Sequence, residues 1–168
     1  MVAQIEPDIY GQYIAKGDPD PTRRGVSDSD VAVLKSRCIG KSVLEIGTGV
    51  GVSTRAIAEV AESLHTVDID PWVLESIYVP PGVTRSFCLP ALGSRYDVVF
   101  IDGGHTFSET LRDIHEAVAR SDEVLVHDYN EGQVDVKEAV HFFLDHFPGW
   151  ELVDFDGIAM LWRKNEQA

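Results

Sequence analysis

Short apolar runs alternate with segments of helical apolar spacing along most of this chain, and no other feature restricts its fold as strongly. The predicted strands lie at 42–47, 65–69, 83–88, 96–102 and 123–128. The predicted helices lie at 27–38, 53–63, 71–77, 106–118 and 135–147. Strands that alternate with helices form a mainly parallel sheet with helices on both faces. We therefore expect an α/β fold with a doubly wound sheet.

The C-terminal region predicts a different local arrangement. Two further apolar runs, 150–155 and 158–163, are separated only by Asp156-Gly157, a strong signal for a tight hairpin. A hairpin reverses the chain, so the expected seven-stranded sheet carries an antiparallel C-terminal strand. Residues 1–26 are rich in proline and glycine and predict an N-terminal arm or lid, which leaves 27–168 as a single domain.

The charge of the chain excludes some classes of partner. The 168 residues carry a formal net charge of −14, which repels nucleic acid and anionic membranes. Adaptation to high salt and simple solubility both fit this charge. The sequence has no apolar run of membrane-spanning length and its first residues do not form a signal peptide, so a cytoplasmic protein is expected. Cys38 and Cys88 are expected to be buried, unpaired thiols.

A glycine-rich loop follows the first predicted strand. Three glycines at alternate positions, Gly47, Gly49 and Gly51, let the backbone turn sharply and let a ligand approach closely. The alternative is a tight turn without a ligand. Asp68 ends the next predicted strand, 21 residues after Gly47, where a carboxylate can accept hydrogen bonds from ribose hydroxyls. Asp70 precedes a proline and is the better helix cap.

Two ligands compete for this loop. A nicotinamide cofactor calls for a third glycine where the chain has Val52, and its phosphates would face Glu45. The segment VLEIGTGVG closely resembles the S-adenosylmethionine (SAM) binding motif of class I methyltransferases. This resemblance implies that SAM is the cofactor and that Asp68 holds its ribose. The residues that would hold its amino-acid end are Glu45, Gly47 and Gly49, and Gly51 and Asp102 are further expected cofactor-binding residues. Trp72 lies beside the ribose position and either stacks on adenine or packs in the core.

Two polar segments end the fourth and fifth predicted strands, 100–105 (FIDGGH) and 126–130 (VHDYN). Carboxyl ends of neighbouring parallel strands meet at one edge of the sheet, next to the cofactor site. Four polar side chains are therefore expected in one neighbourhood: Asp102, His105, His127 and Asp128. Carboxylates with one or two imidazoles suffice for a divalent-metal site. The alternatives are that Asp102 only caps a helix and that the histidines only pack.

These two segments resemble the metal-dependent small-molecule O-methyltransferases. The resemblance implies that Asp102 and Asp128 bind Mg²⁺ or another divalent metal and that His105 removes the proton of an acceptor hydroxyl. His127 and Tyr129 depart from the residues usual in that family. The third ligand is therefore open. It is either His127, which would favour a transition metal, or Asn130. A third alternative is that no metal binds.

The expected function is SAM-dependent methyl transfer to a small-molecule hydroxyl. Two alternatives remain, a catalytically silent SAM-binding module and, less favoured, a nicotinamide-dependent reductase. The loops after the strands are short, so a second subunit of a homo-oligomer would be one way to complete an open acceptor pocket.

Overall fold

Seven strands form one mixed sheet in the computed structural model, which describes residues 26–71, 73 and 79–164. The strands are β1 (Ser42–Ile46), β2 (Ser63–Val67), β3 (Thr84–Ser86), β4 (Val98–Ile101), β5 (Glu123–Tyr129), β6 (Trp150–Asp154) and β7 (Gly157–Arg163). The helices described in full are α1 (Asp28–Cys38), α2 (Val52–Ala58), α3 (Phe107–Val118) and α4 (Val134–His146). The predicted arm, except residue 26, and most of the helix predicted at 71–77 lie outside the described residues.

The strand order across the sheet is β3-β2-β1-β4-β5-β7-β6. All neighbours from β3 to β5 run parallel, whereas β7 runs antiparallel to both β5 and β6. This topology confirms the predicted doubly wound sheet with an antiparallel C-terminal strand. The chain leaves β1 and β4 towards opposite edges of the sheet, and folds of this type bind ligands at the carboxyl ends of such a strand pair.

Helices cover both faces of the sheet because successive strand side chains point to opposite faces. Leu44 and Ile46 of β1 pack in a core cluster with α3 and α4. Val43, which precedes Leu44, packs in a second cluster with α1 and α2. Each fully buried aliphatic side chain contributes roughly 1.5–3 kcal/mol to the free energy of unfolding, so the helices on both faces stabilise the sheet.

Capping boxes fix the starts of two helices that lie near the carboxyl edge of the sheet. Thr106 and Glu109 exchange side-chain and backbone hydrogen bonds at the start of α3, as their spacing predicts. Ser27 and Asp30 form the same arrangement at the start of α1. None of the helices within the described ranges is long and apolar enough to cross a membrane.

The hairpin between β6 and β7 turns at the predicted pair of residues. Asp156 and Gly157 both have positive φ angles, 58° and 130°, and the Asp156 amide donates to the Asp154 carboxylate. Positive φ at two central residues matches the twist of the flanking strands, which is why Asp-Gly is favoured there.

Several element boundaries differ from the prediction. The helix predicted at 53–63 ends at Ala58, because the chain must already turn into β2. Val60 takes part in that turn, and its carbonyl accepts a hydrogen bond from the Gly40 amide. β2 therefore begins at Ser63, paired with Ser42 of β1, two residues before its predicted start.

The two cysteines have different environments. Cys38 is buried in the core below β1, and this burial raises the pKa of its thiol to about 12. Cys88 is exposed, so the expectation of two buried thiols is wrong for this residue. The reason is that β3 stops at Ser86, two residues earlier than predicted, and leaves Cys88 in the loop. Both thiols are unpaired, as expected.

The backbones of β1 and β4 come unusually close where both strands end. Gly47 follows β1 with φ of +95°, and the Asp102 amide donates to the Ile46 carbonyl at 2.8 Å. A methyl group added at Gly47 would overlap the Asp102 carbonyl group. Only glycine fits both the conformation and the space.

Gly47→Ala should therefore destabilise the fold strongly. We expect a loss of about 3 kcal/mol or more in the free energy of unfolding, from a disfavoured φ and a backbone overlap that cannot relax freely. Gly49→Ala is the matched control, because Gly49 also has a positive φ but has open space around it. It should cost only about 1 kcal/mol in urea denaturation. Equal losses in the two variants would contradict this account.

Candidate functional site

A cavity of about 790 Å³ opens at the carboxyl ends of β1, β2, β4 and β5. Its size is typical of a site for a small molecule or cofactor. The wall combines glycine backbone, apolar side chains and several carboxylates. The lining residues that were predicted as site residues are Gly47, Gly49, Asp68, Asp102, His105, His127 and Asp128.

The glycine loop forms one wall of this cavity. Gly47 and Gly49 line it with positive φ angles of 95° and 50°. Gly51 is absent from the wall; it is buried and begins α2 in the left-handed conformation, φ 77°. The predicted loop is therefore divided between two tasks, since its first two glycines face the cavity and its third starts the helix.

Asp68 lies in the cavity wall at the end of β2, as predicted. Its Oδ2 accepts hydrogen bonds from the amides of Thr48, at 2.9 Å, and Gly49, at 3.2 Å. Its Oδ1 accepts from the Asp70 amide at 2.9 Å. Asp68 thus ties the glycine loop to the second strand while facing the cavity. Trp72, the predicted adenine-stacking residue, lies outside the described residues, as does most of the helix that Asp70 was predicted to cap.

Glu45 is fully buried beneath the glycine loop and does not line the cavity. Its two carboxylate oxygens accept hydrogen bonds of 2.6 Å from the hydroxyls of Ser53 and Thr54 in α2. Burial raises the pKa of Glu45 to about 7, and these two hydroxyls together with that of Thr66 limit the rise. The structure therefore places Glu45 as a support that fastens the start of α2 under β1, rather than as a group in the cavity wall.

Three of the predicted polar residues meet at the ends of β4 and β5. Asp102, His105 and Asp128 each offer a ligand atom, and these atoms all lie within 4.8 Å of one another. We call these three residues the reaction cluster. His105 Nε2 lies 2.8 Å from Asp128 Oδ2 and 4.0 Å from Asp102 Oδ1. Two carboxylates and an imidazole are a donor set that suits a divalent cation.

Asp128 owes its position to an irregularity in β5. The pairing of β5 with β7 shifts register between Val126 and Tyr129. Asp128 lies within that bulge and has a φ of 58°, which is unusual for a residue with a side chain. Bulges often redirect a side chain next to an active site, and strained backbone concentrates there.

The electrostatics of the reaction cluster favour a basic imidazole. The hydrogen bond with Asp128 raises the pKa of His105 above its ordinary value, against the opposing effect of burial. The same bond lowers the pKa of Asp128. His105 therefore accepts a proton more readily than an isolated histidine does.

His127 lies behind the cluster, and only 11% of its side chain is exposed. Nδ1 bonds to Asp102 Oδ1 at 3.0 Å and Nε2 to Asp30 Oδ2 at 3.3 Å. Burial is the largest effect on its pKa and lowers it, but Asp102, Asp128 and Asp30 together raise it to about 9. Both nitrogens of His127 thus already bond to carboxylates, and the structure groups His105, not His127, with Asp102 and Asp128. Asn130, the other predicted ligand, binds the Gly132 amide.

Sequence comparison assigns this arrangement to a family. Residues 44–129, which span the glycine loop, Asp68 and the reaction cluster, match a family described as a methyltransferase domain. The chain belongs to this methyltransferase family. No curated protein matches the chain by sequence.

Solved structures with the same fold include several methyltransferases. TomG, an O-methyltransferase from Streptomyces achromogenes solved in complex with SAM, has a TM-score of 0.67 at 17% identity, over 94% of this chain and 88% of its own. A candidate O-methyltransferase from Klebsiella pneumoniae has the same TM-score and coverage at 18% identity. A tRNA (m1A58) methyltransferase from Aquifex aeolicus has a TM-score of 0.62 at 14% identity, over 86% of this chain and 71% of its own. At these identities the likeness concerns the fold.

Family and fold together make the chain a class I SAM-dependent methyltransferase, as the glycine-loop motif predicts. The residues of the cavity fit this cofactor, because the glycine loop leaves a backbone wall without side chains and Asp68 stands at the end of β2. Asp68 and the apolar wall beyond it would hold the nucleoside of SAM. This assignment favours SAM over the nicotinamide alternative.

Parts of the methyltransferase cavity are not predicted by the sequence patterns described above. Phe87 and Ile69 line it and are largely exposed, at 53% and 88%. Arg112 and Asp113 also line it; Asp113 is buried, and its Oδ1 accepts two hydrogen bonds from Arg112. Phe87 could have been predicted because it follows a strand, but Asp113 has the spacing of an ordinary residue on a helix.

Burial of Glu45 predicts a specific pH dependence of stability. Its pKa is about 7 in the folded protein against an ordinary value of 4.5. Because the folded protein binds this proton more tightly than the unfolded chain, protonated Glu45 stabilises the fold fully below pH 4.5. This contribution to the free energy of unfolding, on the order of 3 kcal/mol, is lost as the pH rises through 7. Glu45→Gln is neutral at every pH and should remove this dependence.

Urea denaturation of wild type and Glu45→Gln between pH 4.5 and 8 measures this difference. Wild type should lose stability relative to the variant as the pH rises. Glu109→Gln is the matched control, because hydrogen bonds from Thr106 lower the pKa of Glu109, so its contribution is lost only below pH 4.5 and stays nearly constant in this range. A constant difference between wild type and Glu45→Gln would show that Glu45 does not titrate in this range.

Proposed function

We propose that this methyltransferase transfers the methyl group of SAM to a hydroxyl oxygen of a small-molecule acceptor, with His105 as the general base. The observation that carries the proposal is the 2.8 Å contact between His105 Nε2 and Asp128 Oδ2 at the cavity wall. A base held in place by a carboxylate, at the open end of a cofactor cavity, is the arrangement that proton removal requires.

The reaction balances with the groups present. The acceptor oxygen attacks the methyl carbon, the bond from that carbon to sulfur breaks, and S-adenosylhomocysteine leaves. The hydroxyl proton passes to His105. Because Nε2 of His105 donates to Asp128, Nδ1 is the nitrogen that keeps a lone pair for this proton. Nearly half of the His105 side chain, 47%, is exposed, so the proton can then pass directly to water.

A divalent cation is part of this proposal. Asp102 and Asp128 would hold it, because carboxylate oxygens are the preferred ligands of Mg²⁺ and Mn²⁺ and the donor atoms here lie within 4.8 Å of one another. Bound there, the cation would lower the pKa of an acceptor hydroxyl and fix its orientation. His105 remains the proton acceptor in this scheme, and Asp128 orients it.

The charge of the protein supports a small acceptor rather than a nucleic acid. The formal net charge is −14, and Asp68, Asp102, Asp113 and Asp128 all line the cavity. A polyphosphate chain would be repelled from this surface, whereas a neutral hydroxylated molecule would not. The two O-methyltransferases of the same fold support the same class of reaction by analogy only.

Calorimetric titration tests the cofactor assignment. S-adenosylhomocysteine should bind to wild type and NADH should not. Asp68→Ala removes the carboxylate at the end of β2 and should weaken S-adenosylhomocysteine binding by roughly 10- to 100-fold, because hydrogen bonds to a charged group are lost. Asp70→Ala, two residues away, should change the affinity less than twofold. Binding of NADH alone would overturn the assignment.

Methyl transfer to a panel of catechols and vicinal diols tests the base. His105→Ala should lower kcat by roughly 10²- to 10⁴-fold, because the hydroxyl proton loses its acceptor. S-adenosylhomocysteine affinity should stay within twofold. His146→Ala is the matched control, since His146 is exposed on α4 and bonds to the Phe142 carbonyl of its own helix. Unchanged kcat in His105→Ala would remove His105 from the mechanism. Cofactor binding without transfer to any acceptor would favour the silent module.

A further inference from the structure

A chain of contacts leads from the reaction cluster to the first turn of α1. His127 of β5 is its central member and packs edge-to-face with Phe100, 6.2 Å between ring centroids. Both of its nitrogens bond to carboxylates from different parts of the fold, Asp102 after β4 and Asp30 in α1. An imidazole held at both nitrogens and packed against an aromatic ring has a fixed orientation.

The first contact fixes the direction of Asp102. Its Oδ1 accepts from His127 Nδ1 at 3.0 Å and lies 4.0 Å from His105 Nε2. Rotation of the Asp102 carboxylate would break the bond with His127. His127 therefore determines which lone pairs of Asp102 face the cavity, where the ligand atoms of the cluster converge.

The second contact fixes His127 in turn. Asp30 is buried, with 7% exposure, and its Oδ2 accepts from His127 Nε2. The same oxygen accepts from the amide of Ser27 at 2.8 Å and from its hydroxyl at 2.6 Å. Gly157, at the hairpin turn, packs so closely that an added methyl group would lie 3.1 Å from Asp30 Oδ1. Asp30 therefore has little freedom to rotate.

A role for His127 in carrying protons does not fit these surroundings. His105 already has an open route to water, with 47% of its side chain exposed, whereas His127 is 11% exposed. His127 also has no place among the ligand atoms of the cluster. What its contacts provide is orientation.

We propose that His127 is a positioning residue for methyl transfer, that it holds Asp102 in its working orientation, and that Asp30 of α1 holds His127. The start of α1 is thereby linked to the reaction cluster. This inference rests on the proposed function in one respect, the participation of Asp102 in cation and acceptor binding. Residues that orient ligating carboxylates from behind typically affect metal affinity or activity by roughly 10- to 100-fold.

Matched variants separate positioning from packing. His127→Leu keeps the bulk and removes both bonds, whereas His127→Asn keeps a donor at the place of Nδ1. His65→Leu is the control, because His65 of β2 also uses both nitrogens, towards Tyr96 and Ser86. Asp30→Ala removes the outer contact. Asp28→Ala is its control, because Asp28 is an exposed acidic residue of the same helical turn.

Three measurements are made on each variant. Mn²⁺ binding is followed by electron paramagnetic resonance, S-adenosylhomocysteine binding by calorimetry, and the ring nitrogens of His105 by NMR. His127→Leu should lose roughly 10- to 100-fold in Mn²⁺ affinity and Asp30→Ala a smaller factor of about 3 to 10. His127→Asn should recover most of the loss. The His105 signals should shift in His127→Leu and Asp30→Ala alone, and S-adenosylhomocysteine affinity should stay within twofold throughout.

The proposal is overturned if His127→Leu behaves like His65→Leu in both Mn²⁺ affinity and the His105 spectrum. If wild type binds no Mn²⁺, the cation fails as part of the proposed function, and the His105 spectra alone decide the positioning role. If His127→Leu does not fold, the comparison of Asp30→Ala with Asp28→Ala decides it. Equal behaviour of those two variants would overturn the link to α1.

Discussion

The close approach of β1 and β4 at their carboxyl ends is the constraint on which the whole site depends. Gly47 leaves no room for a side chain against the Asp102 backbone, and the Asp102 amide bonds to the carbonyl just before that glycine. The glycine loop and the first residue of the reaction cluster are therefore joined backbone to backbone. Such a joint limits relative movement of the two strand ends that form the cavity, and group transfer is sensitive to alignment of this kind.

Much of this arrangement follows from local sequence patterns. The alternation of strands and helices predicts the doubly wound sheet, and the position of Asp68, Asp102 and Asp128 at strand ends predicts that they share one cavity. Glu45 and His127 could not be placed in this way. Glu45 is fully buried beside a loop that lines the cavity, whereas His127 reaches the wall but bonds to carboxylates through both nitrogens, so strand position alone does not tell which side chain faces a ligand. His127 bonds to Asp30, which lies 97 positions away in the sequence, and no local sequence pattern predicts such a contact.

Buried carboxylates divide into two groups with different consequences. Glu45 and Asp113 have raised pKa values because burial disfavours their charge, and Glu45 works by hydrogen bonds within the scaffold. Asp128 has a lowered pKa because His105 stabilises its charge. The methyltransferase thus concentrates ionised carboxylate and imidazole at the reaction cluster and places a proton-binding carboxylate beneath the glycine loop, where a fixed charge would be costly.

The two ends of the sheet strands have different roles. Glu123, at the amino end of β5, pairs with Arg37 at 2.7 Å and Lys41 at 3.0 Å, far along the strand from Asp128. The residues of the cavity lie at the carboxyl ends of the strands, while ion pairs of this kind stabilise the amino ends. Loops at the carboxyl ends of the strands can lengthen or change in evolution without disturbing those ion pairs or the apolar layers. Proteins built on this scaffold can therefore change their acceptor while keeping the same methyl donor, so that the choice of acceptor is the property of the fold that evolution changes most readily.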